Sequence, residues 1–85
     1  PGIPVYLNQK KEKPNGALLV FGRYKLKGRH IFYLSKKSSL EEAAKNLYVL
    51  LRTAKEKGFK NISVHPIPNK GIGRAINDRL NRAAG

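Results

Sequence analysis

The sequence contains one uninterrupted apolar run of strand length, "ALLVFG", from Ala17 to Gly22. A strand with one face in water alternates apolar and polar side chains, whereas this run has no polar position. Continuous apolar strands are typical of parallel sheets, because the crossover connections of such sheets cover both faces. The run therefore favours an α/β fold, and a chain of 85 residues has room for one domain of that kind.

Three other segments have strand character. "PVYLN" (residues 4–8) precedes the apolar run, and "HIFYLS" (30–35) follows it with β-branched and aromatic residues. "NISVHP" (61–66) ends at a proline, which cannot donate to a sheet. The charged segment "QKKEKPNG" (9–16) between the first two strands contains a turn signal and is too short for a crossover helix, so the order of the first strands stays open.

The clearest helix signal begins at Ser39. Ser39 and Glu42 have the spacing of a capping box, in which the serine oxygen accepts from the N3 amide and the glutamate reaches back to the N-cap amide. Gly58 can take the positive φ of a helix C-terminus. Between these ends the apolar residues recur at helical spacing, at Leu40, Ala43, Ala44, Leu47, Leu50, Leu51 and Ala54.

A second helix is predicted over "RAINDRLNRAA" (74–84), so the element order is β-β-β-α-β-α. The first helix and the strands on either side of it make a βαβ unit, which joins parallel strands. We expect a mostly parallel sheet of about four strands with two main helices, in a small Rossmann-like α/β sandwich of two or three layers. Residues 1–85 would form a single domain.

The chain carries 18 Lys and Arg against five Asp and Glu, a formal net charge of +13. Such an excess attracts polyanions, so contact with nucleic acid is one interpretation of it. A lysine-rich solvated surface is the other, because the basic residues are spread along the whole chain. The sequence has no cysteine, which suits a cytoplasmic protein, and no apolar run long enough to span a membrane.

The segment "NKGIGRAIN" places glycines and cations in front of the second predicted helix. Free amides at a helix N-terminus attract anions, and Lys70 and Arg74 would add positive charge there. The pattern is not a complete dinucleotide fingerprint, because Ile stands where the third glycine would fall. A tight turn that leads the chain into its last helix is the alternative explanation for Gly71 and Gly73.

His65 closes the fourth predicted strand, and α/β proteins bind ligands at the carboxyl ends of their strands. A polar strand end without function is the alternative. Neither a nucleophile–base pair, nor paired carboxylates, nor a metal-ligand spacing is apparent, so no catalytic or metal-binding residue is predicted. The candidate binding residues are Lys70, Gly71, Gly73, Arg74, Asn77 and His65.

The second half of the chain resembles a known domain family. The motifs that carry the resemblance are "EEAAKNLYVLLR" on the first predicted helix and "PNKGIGRAINDRLNRAA" after the fourth strand. In order and spacing, the segment from Leu34 to Ala84 is similar to the C-terminal domain of two-domain threonylcarbamoyl-AMP synthases. The N-terminal third resembles that family less closely, although "PVYL" and "ALLVFG" fit its early strands, and many of its members have a crossover helix between the first two strands.

The resemblance implies an accessory or regulatory domain that packs against a YrdC-like catalytic domain and positions a linker over its active site. That catalytic domain would use ATP and magnesium to convert L-threonine and bicarbonate into threonylcarbamoyl-AMP for tRNA modification. Because the chain begins at Pro1, we expect the catalytic domain and the linker to be absent from it. The fragment alone would need no cofactor and would not be catalytic. A stand-alone basic module that binds tRNA is the alternative.

Overall fold

The computed structural model describes residues 3–26 and 28–84. Its elements follow the predicted order, and they are β1 (Val5–Tyr6), β2 (Gly16–Phe21), β3 (Ile31–Ser35), α1 (Leu40–Glu56), β4 (Asn61–Val64) and α2 (Ile72–Ala84). Two strands are shorter than their sequence segments. β1 is reduced to a single pair of residues, and β4 ends before His65, which therefore follows the strand instead of closing it.

The four strands form one parallel sheet in the order β1-β4-β2-β3. β2 lies inside the sheet and all of its residues are buried, which confirms the interpretation of the apolar run. β4 inserts between β1 and β2, so the first two strands of the chain are not neighbours. The predicted α/β fold with a parallel sheet and two helices is therefore confirmed.

Both helices pack on the same face of the sheet and contact each other. α1 lies over β2 and β3, and α2 lies over β1. One apolar core fills the space between helices and sheet, because alternate side chains of each strand point towards the helices. Its members are Val5, Leu19, Phe21, Leu34, Ala43, Leu47, Ala54, Ile62, Val64, Ile67, Ile76 and Leu80.

The opposite face of the sheet is covered by the two connections without a helix, residues 7–15 and 22–30, of which residue 27 is not described. Leu18 and Ile31 point to this side and lie below the basic segment that follows β1. The Glu12 carboxylate ties the two connections together, since it accepts from the backbone amides of Arg29 and His30 at 3.0 and 3.1 Å. The domain therefore has two layers of regular secondary structure and a third layer of loops.

The ends of α1 are close to those expected, with one difference. Ser39 is the N-cap, and its Oγ accepts from the Glu42 amide at 3.2 Å. The expected return bond from Glu42 is replaced, because the Ser39 amide donates to the Ser35 Oγ at 2.9 Å. At the other end Gly58 has a φ of +80°, and the Phe59 amide donates to the Ala54 carbonyl at 3.1 Å, as in a Schellman motif.

Candidate functional site

The glycine segment leads directly into α2, which begins at Ile72 and not at Arg74 as predicted. Gly73 therefore lies in the first helical turn, and it is buried against the loop that follows β4. A Cβ on Gly73 would collide with the carbonyl oxygen of Pro68 and would lie 3.1 Å from its carbonyl carbon. Gly71 precedes the helix with a φ of +56°, which glycine adopts without steric cost. Each glycine thus has a structural role in this turn.

The backbone amides at this turn are partly occupied. The amides of Gly73 and Arg74 donate to the carbonyl oxygens of Lys70 and Gly71 at 3.0 and 3.1 Å. An anion at the start of α2 would have to compete with these two hydrogen bonds. Lys70, Gly71 and Arg74 are exposed around the turn, and an anion site formed by them stays a prediction.

A cleft of about 280 Å³ opens at the carboxyl edge of the sheet, where β1 and β4 end beside α2. We call it the asparagine cleft, because its lining is Leu7, Asn8, His65, Ile67, Asn69, Asn77, Leu80 and Asn81. Ligands of open α/β sheets bind at this edge. Two of the predicted site residues, His65 and Asn77, meet here, whereas the other four do not line the cleft.

Hydrogen bonds hold the walls of the asparagine cleft. The Nδ2 of Asn77 donates to the Ile67 carbonyl at 2.9 Å and lies 3.4 Å from the Asn69 Oδ1, so α2 holds the loop after β4. On the other side the Gln9 amide donates to the Val64 carbonyl at 2.9 Å, which holds the segment after β1 against the end of β4. These bonds fix the loop after β4 and the segment after β1 on the two sides of the cleft.

His65 is a buried, neutral member of this cleft. It is 7% exposed, and its ring packs edge to face against Tyr24 with the centroids 5.2 Å apart. Burial lowers the pKa of His65 from its ordinary value of 6.5; the charge of Lys10 acts in the same direction, and a hydrogen bond with the Lys10 backbone opposes them. Within residues 3–26 and 28–84, its Nε2 has no hydrogen-bond partner.

Comparison with known proteins decides the family. A profile described as "Threonylcarbamoyl-AMP synthase, C-terminal domain" matches residues 2–85. The chain belongs to this family. The resemblance seen in the second half of the sequence is thereby confirmed, and it extends through the N-terminal strands. Family membership gives the domain a role in a threonylcarbamoyl-AMP synthase.

The fold of this threonylcarbamoyl-AMP synthase C-terminal domain is also found in a solved structure. The crystal structure of P. abyssi Sua5 complexed with L-threonine matches with a TM-score of 0.76 and 24% identity. The match covers 100% of the present chain and 29% of the P. abyssi chain. No curated protein sequence matches the chain.

No helix in residues 3–26 and 28–84 is long and apolar enough to cross a membrane. Over the same two ranges, no three His, Cys, Asp or Glu side chains lie together as metal ligands do.

Sequence reasoning missed three of the four asparagines of the cleft, Asn8, Asn69 and Asn81. A signal for two of them was present, because Asn8 lies two residues after the end of β1 and Asn81 lies one helical turn after Asn77 on the same face of α2. The pairing of β1 with β4 was needed to bring these positions together, and no local pattern predicts that pairing.

The pKa of His65 makes the stability of the domain depend on pH. In the unfolded chain the imidazole takes up a proton at a higher pH than in the folded domain, so acidification through the ordinary pKa favours unfolding. We expect the unfolding free energy to fall as the pH is lowered below about 6.5. The loss should continue down to the pKa of folded His65. Urea titrations at a series of pH values measure this slope.

The variant His65→Gln removes the titrating group. We therefore expect the unfolding free energy to change less steeply with pH just below the ordinary histidine pKa. His30→Gln is the matched control, because His30 is the other histidine, is exposed, and leaves His65 in place. If this pH dependence of the unfolding free energy were lost in the His30 variant and kept in the His65 variant, its assignment to His65 would be wrong.

Proposed function

We propose that the chain is an accessory domain of a cytoplasmic threonylcarbamoyl-AMP synthase. It packs against a YrdC-like catalytic domain that lies outside these 85 residues, and it positions the linker that closes over the active site. The catalytic domain uses ATP and magnesium to convert L-threonine and bicarbonate into threonylcarbamoyl-AMP, which serves the modification of tRNA. The present chain contributes no catalytic group.

The observation that carries this proposal is the family match along residues 2–85, because the family is itself a C-terminal domain of that synthase. The size relation also supports it, since the chain spans 29% of the length of P. abyssi Sua5. That protein was crystallised with L-threonine, which supports an amino-acid substrate for the enzyme as a whole.

A surface on the helical layer supports the docking of a catalytic domain. We define the Tyr48 surface as Tyr48, Val49, Arg52, Ile72 and Arg79. Tyr48 and Val49 are 56% and 59% exposed, and the guanidinium carbons of Arg52 and Arg79 lie 5.5 and 5.0 Å from the Tyr48 ring centroid. Aromatic residues and arginines are enriched in protein interfaces, and covering exposed apolar side chains with a partner makes association more favourable.

The test combines the 85-residue chain with a separately produced YrdC-like catalytic domain of the same family. We expect no pyrophosphate from ATP, L-threonine and bicarbonate with the chain alone, and saturable binding of the catalytic domain in a titration. Tyr48→Ala should weaken that binding about tenfold or more, as expected for a buried interface aromatic.

Tyr6→Ala is the matched control, because Tyr6 is also exposed, at 42%, and also lies under a cation, with the Lys13 Nζ 4.8 Å from its ring. Tyr6 lies on the other face of the sheet, so its replacement should leave the affinity unchanged. Pyrophosphate release by the chain alone would refute the accessory role, and so would the absence of binding. Equal losses in the two variants would exclude the Tyr48 surface as the interface.

The net charge of +13 keeps tRNA binding as a second candidate function. A domain that contacts several phosphates releases counterions, so its affinity for tRNA should fall about 10³-fold or more between 50 and 200 mM salt. A mobility shift at the lower salt concentration that disappears at the higher one would support this candidate. No shift at low salt would rule it out.

A further inference from the structure

We propose that the asparagine cleft binds a nucleobase, and adenine in preference to the other bases. The inference concerns a site on this domain itself, and it does not depend on the catalytic partner proposed above. It follows from three properties of the cleft, namely the chemistry of its lining, its place in the fold and its size.

The lining of the cleft is polar without being charged. Four carboxamides, a buried imidazole and three aliphatic side chains surround it, and no Lys, Arg, Asp or Glu contributes to it. Because the lining offers no counterion, a fully charged group would lose its hydration here without compensation. The part of a ligand that enters the cleft is therefore uncharged.

The carboxamide is a donor and an acceptor held in one plane. A ligand that satisfies it must present an acceptor beside a donor, and the edges of nucleobases do so. Asn pairs in this bidentate way with N6 and N7 of adenine, which is why adenine is the expected base. The aliphatic side chains of Leu7, Ile67 and Leu80 supply the apolar contact that the flat faces of a base require.

Several of these hydrogen-bonding groups remain available. Among the described residues, the cleft carboxamide atoms in hydrogen bonds are the Asn77 Nδ2 and the Asn69 Oδ1, and the His65 ring bonds to the Lys10 backbone. The amides of Asn8 and Asn81 and the Oδ1 of Asn77 are therefore open to a ligand. The bond from Asn77 to the Ile67 carbonyl fixes the Asn77 carboxamide in advance.

The position and the size agree with this ligand. The cleft lies at the carboxyl ends of two neighbouring parallel strands, the edge at which open α/β sheets bind nucleotides. Its volume of about 280 Å³ is at the lower limit for small-molecule sites, so it holds a base and leaves the sugar in solvent.

The test titrates the 85-residue chain, labelled with ¹⁵N, with adenosine, uridine and inorganic phosphate in separate experiments. We expect adenosine to shift the side-chain NH₂ resonances of the cleft asparagines in a saturable way. Uridine should bind several-fold more weakly, and phosphate should leave these resonances unchanged. Phosphate shifts as large as those of adenosine would overturn the proposal in favour of an anion site.

Two variants on α2 decide whether the carboxamides bind the base. Asn81→Ala removes one exposed amide and keeps a good helix former, so the fold is retained. It should weaken adenosine binding about tenfold, as expected for one bidentate contact. Arg82→Ala is the control, because Arg82 is the next residue on the helix, carries charge and does not line the cleft.

The control variant should bind adenosine as the unchanged chain does. A loss of affinity in Arg82→Ala equal to that in Asn81→Ala would show that general positive charge attracts the ligand, and the proposal would fail. It would also fail if millimolar adenosine moved none of the cleft resonances, or if uridine bound as tightly as adenosine.

Discussion

Replacement of Gly73 by alanine should destabilise the domain by about 3 kcal/mol, the upper range for overpacking at a buried position. The new Cβ would meet the carbonyl oxygen of Pro68, which is backbone and cannot rotate away, and would lie 3.3 Å from the Leu40 Cδ2. Either the start of α2 or the loop after β4 must move. The direction of the change in unfolding free energy distinguishes close packing at Gly73 from an ordinary helix position. In an unobstructed helix, replacing glycine by alanine stabilises the protein by about 1 kcal/mol.

Gly71→Ala is the matched control for this prediction. Nothing lies within 4 Å of a Cβ at Gly71, so its only cost is the left-handed backbone with a φ of +56°. We expect a loss of about 1 kcal/mol there. Urea titrations followed by circular dichroism measure both values. A Gly73 variant as stable as the Gly71 variant would show that the loop after β4 moves easily, and it would contradict the close packing of Gly73 against Pro68.

Leu19→Ala should cost about 2–5 kcal/mol of unfolding free energy, as large-to-small changes in a core do. Leu19 is fully buried on β2, the strand that carries the uninterrupted apolar run, and its side chain belongs to the core between sheet and helices. Small domains have about 5–15 kcal/mol of stability, so this loss is a large part of the total and should lower the thermal midpoint by about 10 °C or more. Thermal unfolding followed by circular dichroism gives the measurement.

Two further variants separate packing from a general failure to fold. Leu19→Met keeps the volume of the side chain and should cost less than about 1.5 kcal/mol. Val49→Ala removes a side chain that is 59% exposed on α1 and should change the stability by less than about 0.5 kcal/mol. Equal losses for Leu19→Ala and Val49→Ala would contradict the position of the core.

The sequence predicts the parts of this fold that depend on local chemistry. The apolar run required a strand buried on both faces, and β2 is buried throughout. Ser39 and Gly58 were expected at the two ends of α1, and both are found there. The return bond expected from Glu42 was wrong, because Ser35 at the end of β3 reaches the Ser39 amide instead. That contact depends on how β3 meets α1.

The asparagine cleft could not be predicted for a similar reason. Asn8 and Asn77 come from opposite ends of the chain, and they become neighbours only because β1 pairs with β4 and α2 folds back over β1. The local pattern around Gly71 and Gly73 indicates a site at the start of α2, whereas the cleft lies further along that helix. His65 was identified from its place at a strand end, and its burial beside Tyr24 was not.

Because β1 is short, its pairing with β4 is linked to whether a ligand occupies the asparagine cleft. β1 has two residues and lies at the edge of the sheet, and the bonds that the Ile62 and Gln9 amides donate to Pro4 and Val64 help to hold it there. Short edge strands open locally at a free energy well below that of global unfolding. Each opening removes Leu7 and Asn8 from the cleft, so a ligand in the cleft must slow hydrogen exchange at the Ile62 and Gln9 amides. Detachment of the N-terminal strand and occupancy of the cleft are therefore opposing equilibria, and a pull on the chain before β1 would release the ligand.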